Sequence, residues 1–107
     1  MESDRIVGID LEQLHLDSIC KVALIFSEIE KVILFGSRAL ETNRKGSDID
    51  LALTGSKVTH STVLRFHDIL NQETLIPYQI DVVDFNTIWN RQLLDHIEKH
   101  GVIIYQK

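Results

Sequence analysis

The sequence predicts an α+β fold in which a mixed β-sheet packs against helices. Segments whose apolar residues recur at helical spacing alternate with short apolar runs typical of strands, and glycines and the only proline separate them. The expected order of elements is α-β-α-β-α-β-α-β, which is typical of helices layered on a sheet. With 107 residues, 44% of them apolar, the chain is expected to form one domain over residues 1–107.

The first helix is expected over residues 10–29, with Asp10 as its N-cap. One broad apolar face follows from the helical period, and it comprises Leu11, Leu14, Ile19, Val22, Ile25, Phe26 and Ile29. Leu16, Cys20 and Leu24 form an apolar stripe on the opposite side, which a free-standing domain normally keeps polar. The stripe indicates either a contact surface or a few scattered apolar residues.

Four apolar runs predict strands, at residues 31–36, 48–54, 78–85 and 102–105. Between the first two, Ser37–Leu40 is expected to begin a short helix and residues 41–47 to form a polar loop.

Two further helices complete the pattern, at residues 59–73 and 87–100. The first of them has a core side made of Val63, Phe66, His67 and Leu70. The second is expected to pack through Trp89, Leu93 and Ile97 and to end at Gly101.

Charge and composition narrow the class of protein. The net charge of -5 argues against a general nucleic-acid binder, which usually carries a basic face. The single cysteine, Cys20, precludes an internal disulfide and favours a reducing compartment. The first ten residues lack the pattern of a signal peptide, and no apolar run reaches the ~18 residues that span a membrane. The cytoplasm is therefore the expected location.

Two aspartates interrupt the second strand, "DIDLALT". Because side chains alternate along a strand, Asp48 and Asp50 should point the same way while Ile49 and Leu51 enter the core. Neighbouring like charges repel, so a cation should compensate them, and carboxylate oxygens suit Mg²⁺. The alternative is a pair of solvent-facing carboxylates at the end of a strand.

The turn "FGSR" precedes this strand and has the composition of a phosphate site. Gly36 allows a ligand to approach the backbone, and Ser37 can cap a helix or donate to a phosphate oxygen. Arg38 could add a charge-assisted contact. The alternative is a serine-capped helix with a solvated arginine. Together, the turn and the aspartates form half of a phosphoryl-transfer site.

A third carboxylate is expected from the strand "QIDVVD". Asp81 lies in the middle of an apolar run, where a charge is costly unless it is paired or bound to a metal. Asp84 lies near the end of the strand, where it is expected to cap the following turn. Asp81 is therefore the better candidate.

These residues resemble a known family. Gly36-Ser37, ten intervening residues, and then Asp48-x-Asp50 resemble the signature of the polymerase-beta-like nucleotidyltransferase superfamily. The wording "FGSRAL…GSDIDLAL" and the chain's size are similar to its minimal nucleotidyltransferase (MNT) family, whose third acid lies in a context like that of Asp81. The resemblance covers roughly residues 20–104.

The resemblance implies a nucleotidyltransferase fold and transfer of a nucleoside monophosphate, AMP from ATP, to a hydroxyl. Gly36 and Ser37 would hold the outer phosphates, with Arg38 as a further nucleotide contact. Asp48, Asp50 and Asp81 would be the catalytic residues and would bind two Mg²⁺ ions. Two such ions stabilise the entering and leaving oxygens of an in-line displacement.

The resemblance also implies a partner. Minimal members are often paired with a small helical HEPN-type toxin, and in some systems the nucleotidyltransferase acts as antitoxin by adding AMP to a tyrosine of that toxin. Leu16, Cys20 and Leu24 are the expected contact surface, either for that partner or for a homodimer. Two alternative functions are a non-catalytic antitoxin that covers its partner, and a nucleotidyltransferase that modifies a small-molecule antibiotic.

Overall fold

The computed structural model describes residues 11–40 and 48–107. This part of the chain has the expected α+β class, with three α-helices, four strands and one short 3₁₀ helix, but the helix expected between the first two strands is absent from it. The elements are α1 (Gln13–Ile25), β1 (Lys31–Phe35), β2 (Ile49–Thr54), α2 (His60–Glu73), β3 (Ile80–Asp84), the 3₁₀ helix (Phe85–Thr87), α3 (Arg91–His100) and β4 (Val102–Gln106). The predicted mixed sheet is confirmed: its strand order is β3-β2-β1-β4.

The strand directions place the start of β2 beside the start of β3. β1 pairs antiparallel with both β2 and β4, whereas β2 and β3 run parallel. A parallel pair requires a crossover connection, and α2 supplies it between these two strands. The beginnings of β2 and β3 therefore meet at the end of the sheet where β1 finishes.

The sheet has two unlike faces because side chains alternate along each strand. The closed face packs against α1 and α2 and forms the main core, whose sheet residues are Val32, Leu34, Ile49, Leu51, Leu53 and Ile80, all fully buried. The open face carries Ile33, Phe35, Asp50, Ala52, Asp81 and Val83, and α3 covers a part of it through the buried Ile97.

Helix α1 begins later than expected and packs with a different face. Asp10 lies outside the described residues, and the N-cap position is Glu12. Leu14 and Ile25, expected in the core, are 65% and 63% exposed, so this part of the prediction is wrong. The cause is that α1 contacts both α2 and β4. The positions of these two elements decide which side of the helix is covered, and the helical period alone does not specify that side.

The stripe of Leu16, Cys20 and Leu24 is not an exposed contact surface. Leu16 belongs to the core, and the Cys20 thiol donates a hydrogen bond to the carbonyl oxygen of Ile104 at 3.3 Å. Only Leu24 is exposed, at 69%. The prediction of a partner surface on these residues is therefore wrong, because β4 occupies the side of α1 that the stripe faces.

Two local expectations also differ from the structure. Ser37–Leu40 forms turns rather than a helix, with hydrogen bonds from Ala39 N–H to Gly36 O and from Leu40 N–H to Ser37 O. Trp89 is 89% exposed rather than packed, because α3 begins only at Arg91. The polar loop expected at 41–47 lies outside the described residues.

The other helix predictions are confirmed at their centres. Phe66 and Leu70 of α2 are buried in the main core, with Val63 and His67 half-buried beside them. Gly101 is the C-cap of α3. None of the described helices has the length and apolar character that crossing a bilayer would require.

Candidate active site

Three aspartates lie at the end of the open face where β2 and β3 begin. In the parallel register of these strands, Asp50 is paired with Asp81. Paired residues on neighbouring strands project from the same face, with backbones about 4.8 Å apart. Asp48 lies two residues before Asp50, immediately ahead of β2. The fold thus brings together carboxylates that are more than 30 residues apart in the chain.

The pKa of the Asp50 carboxyl reflects the proximity of the other two aspartates. Its pKa is raised from 3.8 to about 6, first by burial of the carboxyl and then by the negative charges of Asp81 and Asp48. A charged group is disfavoured both by leaving water and by like charges nearby. The site consequently favours anything that brings positive charge, whether a proton or a metal ion.

The carboxylates fit a hard divalent cation by donor type and by charge. They offer only oxygen atoms, which Mg²⁺ prefers. Within residues 11–40 and 48–107, no group of three histidine, cysteine, aspartate or glutamate side chains is already arranged around one point where an ion could bind. The backbone therefore brings the three aspartates to one end of the sheet, without their carboxylates already surrounding a single point.

Gly36 lies directly against this carboxylate cluster. The last residue of β1, Phe35, is paired with Asp50, so the turn that follows begins beside the Asp50 side chain. Gly36 has φ of 81°, in the left-handed region that favours glycine. A Cβ at this position would overlap Asp50 Oδ2. Glycine is needed here both for the backbone conformation and for close approach to the carboxylate, with the half-buried Ser37 next in the chain.

A histidine that the sequence analysis did not select also belongs to this turn. The backbone N–H of Gly36 donates a hydrogen bond to His96 Nε2 at 3.0 Å. His96 lies on α3, and its ring packs edge-on against Phe35 with centroids 6.2 Å apart. Its sequence context is that of an ordinary helical histidine, so only the tertiary contact identifies it.

Arg38 points into the protein at the base of the turn. It is buried, and its guanidinium carbon lies 4.1 Å from the ring centroid of Tyr78, the geometry of a cation–π contact. The Tyr78 ring in turn meets His15 of α1 edge-on. Arg38 thus anchors the turn to the segment before β3. Its role in nucleotide binding stays a prediction.

Asp84 is separate from this cluster. Its Oδ1 accepts the backbone N–H of Asn86 at 3.0 Å and caps the 3₁₀ helix, as expected. The structure therefore distinguishes the two acids of β3: Asp81 faces Asp50 at the start of the strand, and Asp84 ends it.

Three solved structures resemble the chain in fold. A toxin-antitoxin structure with AMP-PNP has a TM-score of 0.68 at 17% identity, covering 91% of this chain and 75% of that chain. A structure of a tri-AMPylated Shewanella oneidensis HEPN toxin in complex with MNT antitoxin contains a matching chain. The TM-score is 0.67 at 18% identity, and the match covers 89% of this chain and 72% of that chain. The MntA-HepT toxin-antitoxin has a TM-score of 0.68 at 18% identity, covering 90% and 74%.

Sequence comparison gives a family but no near relative. No curated protein matches the chain significantly. Residues 17–107 match the family described as polymerase beta, nucleotidyltransferase, and this range includes the three aspartates, the Gly36 turn and His96. The chain therefore belongs to the polymerase beta nucleotidyltransferase family.

Proposed function

We propose that this chain is a Mg²⁺-dependent nucleotidyltransferase that moves AMP from ATP to a hydroxyl group, with a tyrosine of a HEPN-type toxin as the acceptor and with antitoxin action as the result. Membership of the family supports nucleotidyl transfer in general. The single observation that carries the proposal is the register pairing of Asp50 with Asp81, beside the Gly36 turn.

The turn and the carboxylates have separate tasks in this proposal. Gly36 lets the triphosphate approach the backbone, and the Ser37 hydroxyl donates to an outer phosphate oxygen. Asp48, Asp50 and Asp81 would hold two Mg²⁺ ions. When bound, these ions supply positive charge at the entering and leaving oxygens of the transferred phosphoryl group.

The chemical step is a displacement at the α-phosphorus of ATP. The acceptor oxygen forms a bond to that phosphorus, the bond to the bridging oxygen of the β-phosphate breaks, and pyrophosphate leaves. Asp81 is exposed and takes the proton of the acceptor hydroxyl, directly or through a water molecule. The remaining contribution of the chain is to hold the reacting groups in line.

The acceptor and the biological role rest on the structural comparison. One of the structures that this chain resembles contains a tri-AMPylated HEPN toxin with an MNT antitoxin, and another contains AMP-PNP. These two structures support ATP as donor and a HEPN-type protein as acceptor. A single domain over residues 1–107 and a cytoplasmic location remain predictions that accompany this proposal.

A labelled-ATP transfer assay with the co-purified partner tests the proposal. Label should pass to the partner in the presence of Mg²⁺, and Asp48→Asn or Asp50→Asn should reduce the rate at least ~100-fold, because each removes a carboxylate that would hold Mg²⁺. Asp68→Asn is the matched control, since this exposed acid lies on α2, on the other side of the sheet. Circular dichroism should show an unchanged fold in all three variants.

The same variants separate the alternatives. Asn variants that lose transfer yet still protect cells from the partner would show that the protein acts by covering its partner. Transfer of label to an aminoglycoside or lincosamide without the partner would indicate an antibiotic-modifying enzyme. Absence of both transfer and partner binding would end the antitoxin proposal.

A further inference from the structure

We propose that His96 is a positioning residue of the nucleotide site, which holds the Gly36-Ser37 turn in its binding conformation through the backbone of Gly36. This inference rests on the proposed function and assigns to α3 a part in it. Its basis is the 3.0 Å hydrogen bond from Gly36 N–H to His96 Nε2.

The bond fixes the state of the imidazole. A ring nitrogen that accepts a hydrogen bond carries no proton, so this contact requires the Nδ1–H tautomer of His96. The ring is held in place on two sides, edge-on by Phe35 and by the ring of His100 at a centroid distance of 5.5 Å. The ring therefore has contacts besides the hydrogen bond that help to place the acceptor.

The turn needs such an acceptor. Gly36 has the left-handed φ of 81°, one side of it lies against Asp50, and its N–H points to His96. A partly buried N–H without a partner is costly, and a glycine has many other conformations available to it. The His96 acceptor favours the one conformation in which Gly36 lies against Asp50.

This hydrogen bond also determines which groups of the turn are available to donate to a phosphate. Because Gly36 N–H already donates to His96, it does not donate to a phosphate oxygen bound at this turn. Other groups must do so, and the Ser37 hydroxyl is one such donor. Gly36 then contributes closeness of approach rather than a hydrogen bond. Since the turn contacts the triphosphate both before and during the reaction, loss of the acceptor should weaken ATP binding and leave the chemical step unchanged.

Two substitutions isolate the acceptor. His96→Ala removes it, and we expect the KM for ATP and the dissociation constant of Mg²⁺-ATP to rise roughly 2- to 12-fold at an unchanged kcat, the range that one hydrogen bond supplies. His96→Gln should restore both values, because the glutamine side-chain oxygen reaches a position similar to that of Nε2. His60→Ala is the matched control: this exposed histidine is the first residue of α2.

A measurement independent of activity completes the test. Nitrogen NMR of the histidine side chains in the unliganded protein should show His96 as the Nδ1–H tautomer, and His96→Ala should shift the Gly36 amide proton upfield. If the wild type transfers no label, the proposed function fails, while the tautomer and the Mg²⁺-ATP titration still decide the role of His96. A proton on Nε2, an unchanged ATP affinity in His96→Ala, or a His96→Gln variant as weak as His96→Ala would overturn the inference.

Discussion

The two faces of the sheet are formed by alternate residues of the same strands, yet they have different roles. On the closed face, Ile49 and Leu51 are fully buried between the strands and the helices. On the open face, their neighbour Asp50 has a raised pKa and like charges beside it. Neighbouring residues of β2 therefore have opposite effects on stability. Burial of Ile49 and Leu51 stabilises the fold, whereas the charge of Asp50 lowers its stability.

This difference shows how a small domain can hold an unfavourable cluster of charges. The carboxylates are attached to strands whose opposite side is anchored in the main core, so their repulsion can move side chains but not the backbone. The α3 helix covers only a part of the open face, through Ile97 and its neighbours. Asp48 and Asp81, at the charged end of the face, are exposed.

The largest expected effect is on the closed face. Leu51→Ala should lower the free energy of unfolding by about 3 kcal/mol, because it removes a fully buried side chain and leaves a cavity. Ile103→Ala on β4 is the control, since Ile103 is 49% exposed and its loss should cost less than about 1 kcal/mol. Urea denaturation measures both. Equal losses would contradict the distinction between a buried and an exposed apolar position.

The next effect lies where the turn meets the open face. Gly36→Ala should cost about 2 kcal/mol, because alanine disfavours the left-handed conformation and its Cβ overlaps Asp50. The same change in an Asp50→Ala background should cost less, because only the conformational part remains. A double-mutant cycle by thermal or urea denaturation isolates the overlap. A coupling energy of zero would show that Gly36 and Asp50 do not touch.

The smallest effect has the opposite sign. Asp50→Asn should stabilise the metal-free protein by about 1 kcal/mol at pH 7.5, a figure reduced for solvent screening of a half-exposed carboxyl. The native carboxyl holds its proton up to about pH 6 and the unfolded one only to about 3.8, so this penalty grows as the pH rises through that interval. The gain of the variant should therefore shrink as the pH falls from 6 to 4.

Urea denaturation in EDTA at several pH values measures this difference, and Asp68→Asn is its control. Adding Mg²⁺ should stabilise the wild type more than Asp50→Asn, since a ligand of the native state raises its stability by mass action. A gain that stays constant between pH 4 and 7.5 would show that Asp50 does not titrate as described.

Errors of the sequence analysis concentrate where an element is covered by more than one neighbour. The period of α1 predicts an apolar arc, but β4 contacts Cys20 on one side while Leu14 remains exposed on another. Trp89 follows helical spacing in the sequence, yet α3 begins two residues after it. Helical period specifies relative directions of side chains, and the packing of distant elements decides which directions are covered.

By itself the sequence determined the α+β class, the alternation that places Asp48 and Asp50 on one side of a strand, and the selection of Asp81 as an acid within an apolar run. These properties are local, because they follow from periodicity and from the cost of a charge in an apolar run. Only the tertiary structure decided that Asp50 is paired with Asp81 and that His96 accepts a hydrogen bond from Gly36. Such contacts depend on strand register and helix docking, which the packing of the whole domain fixes and no short stretch of sequence contains.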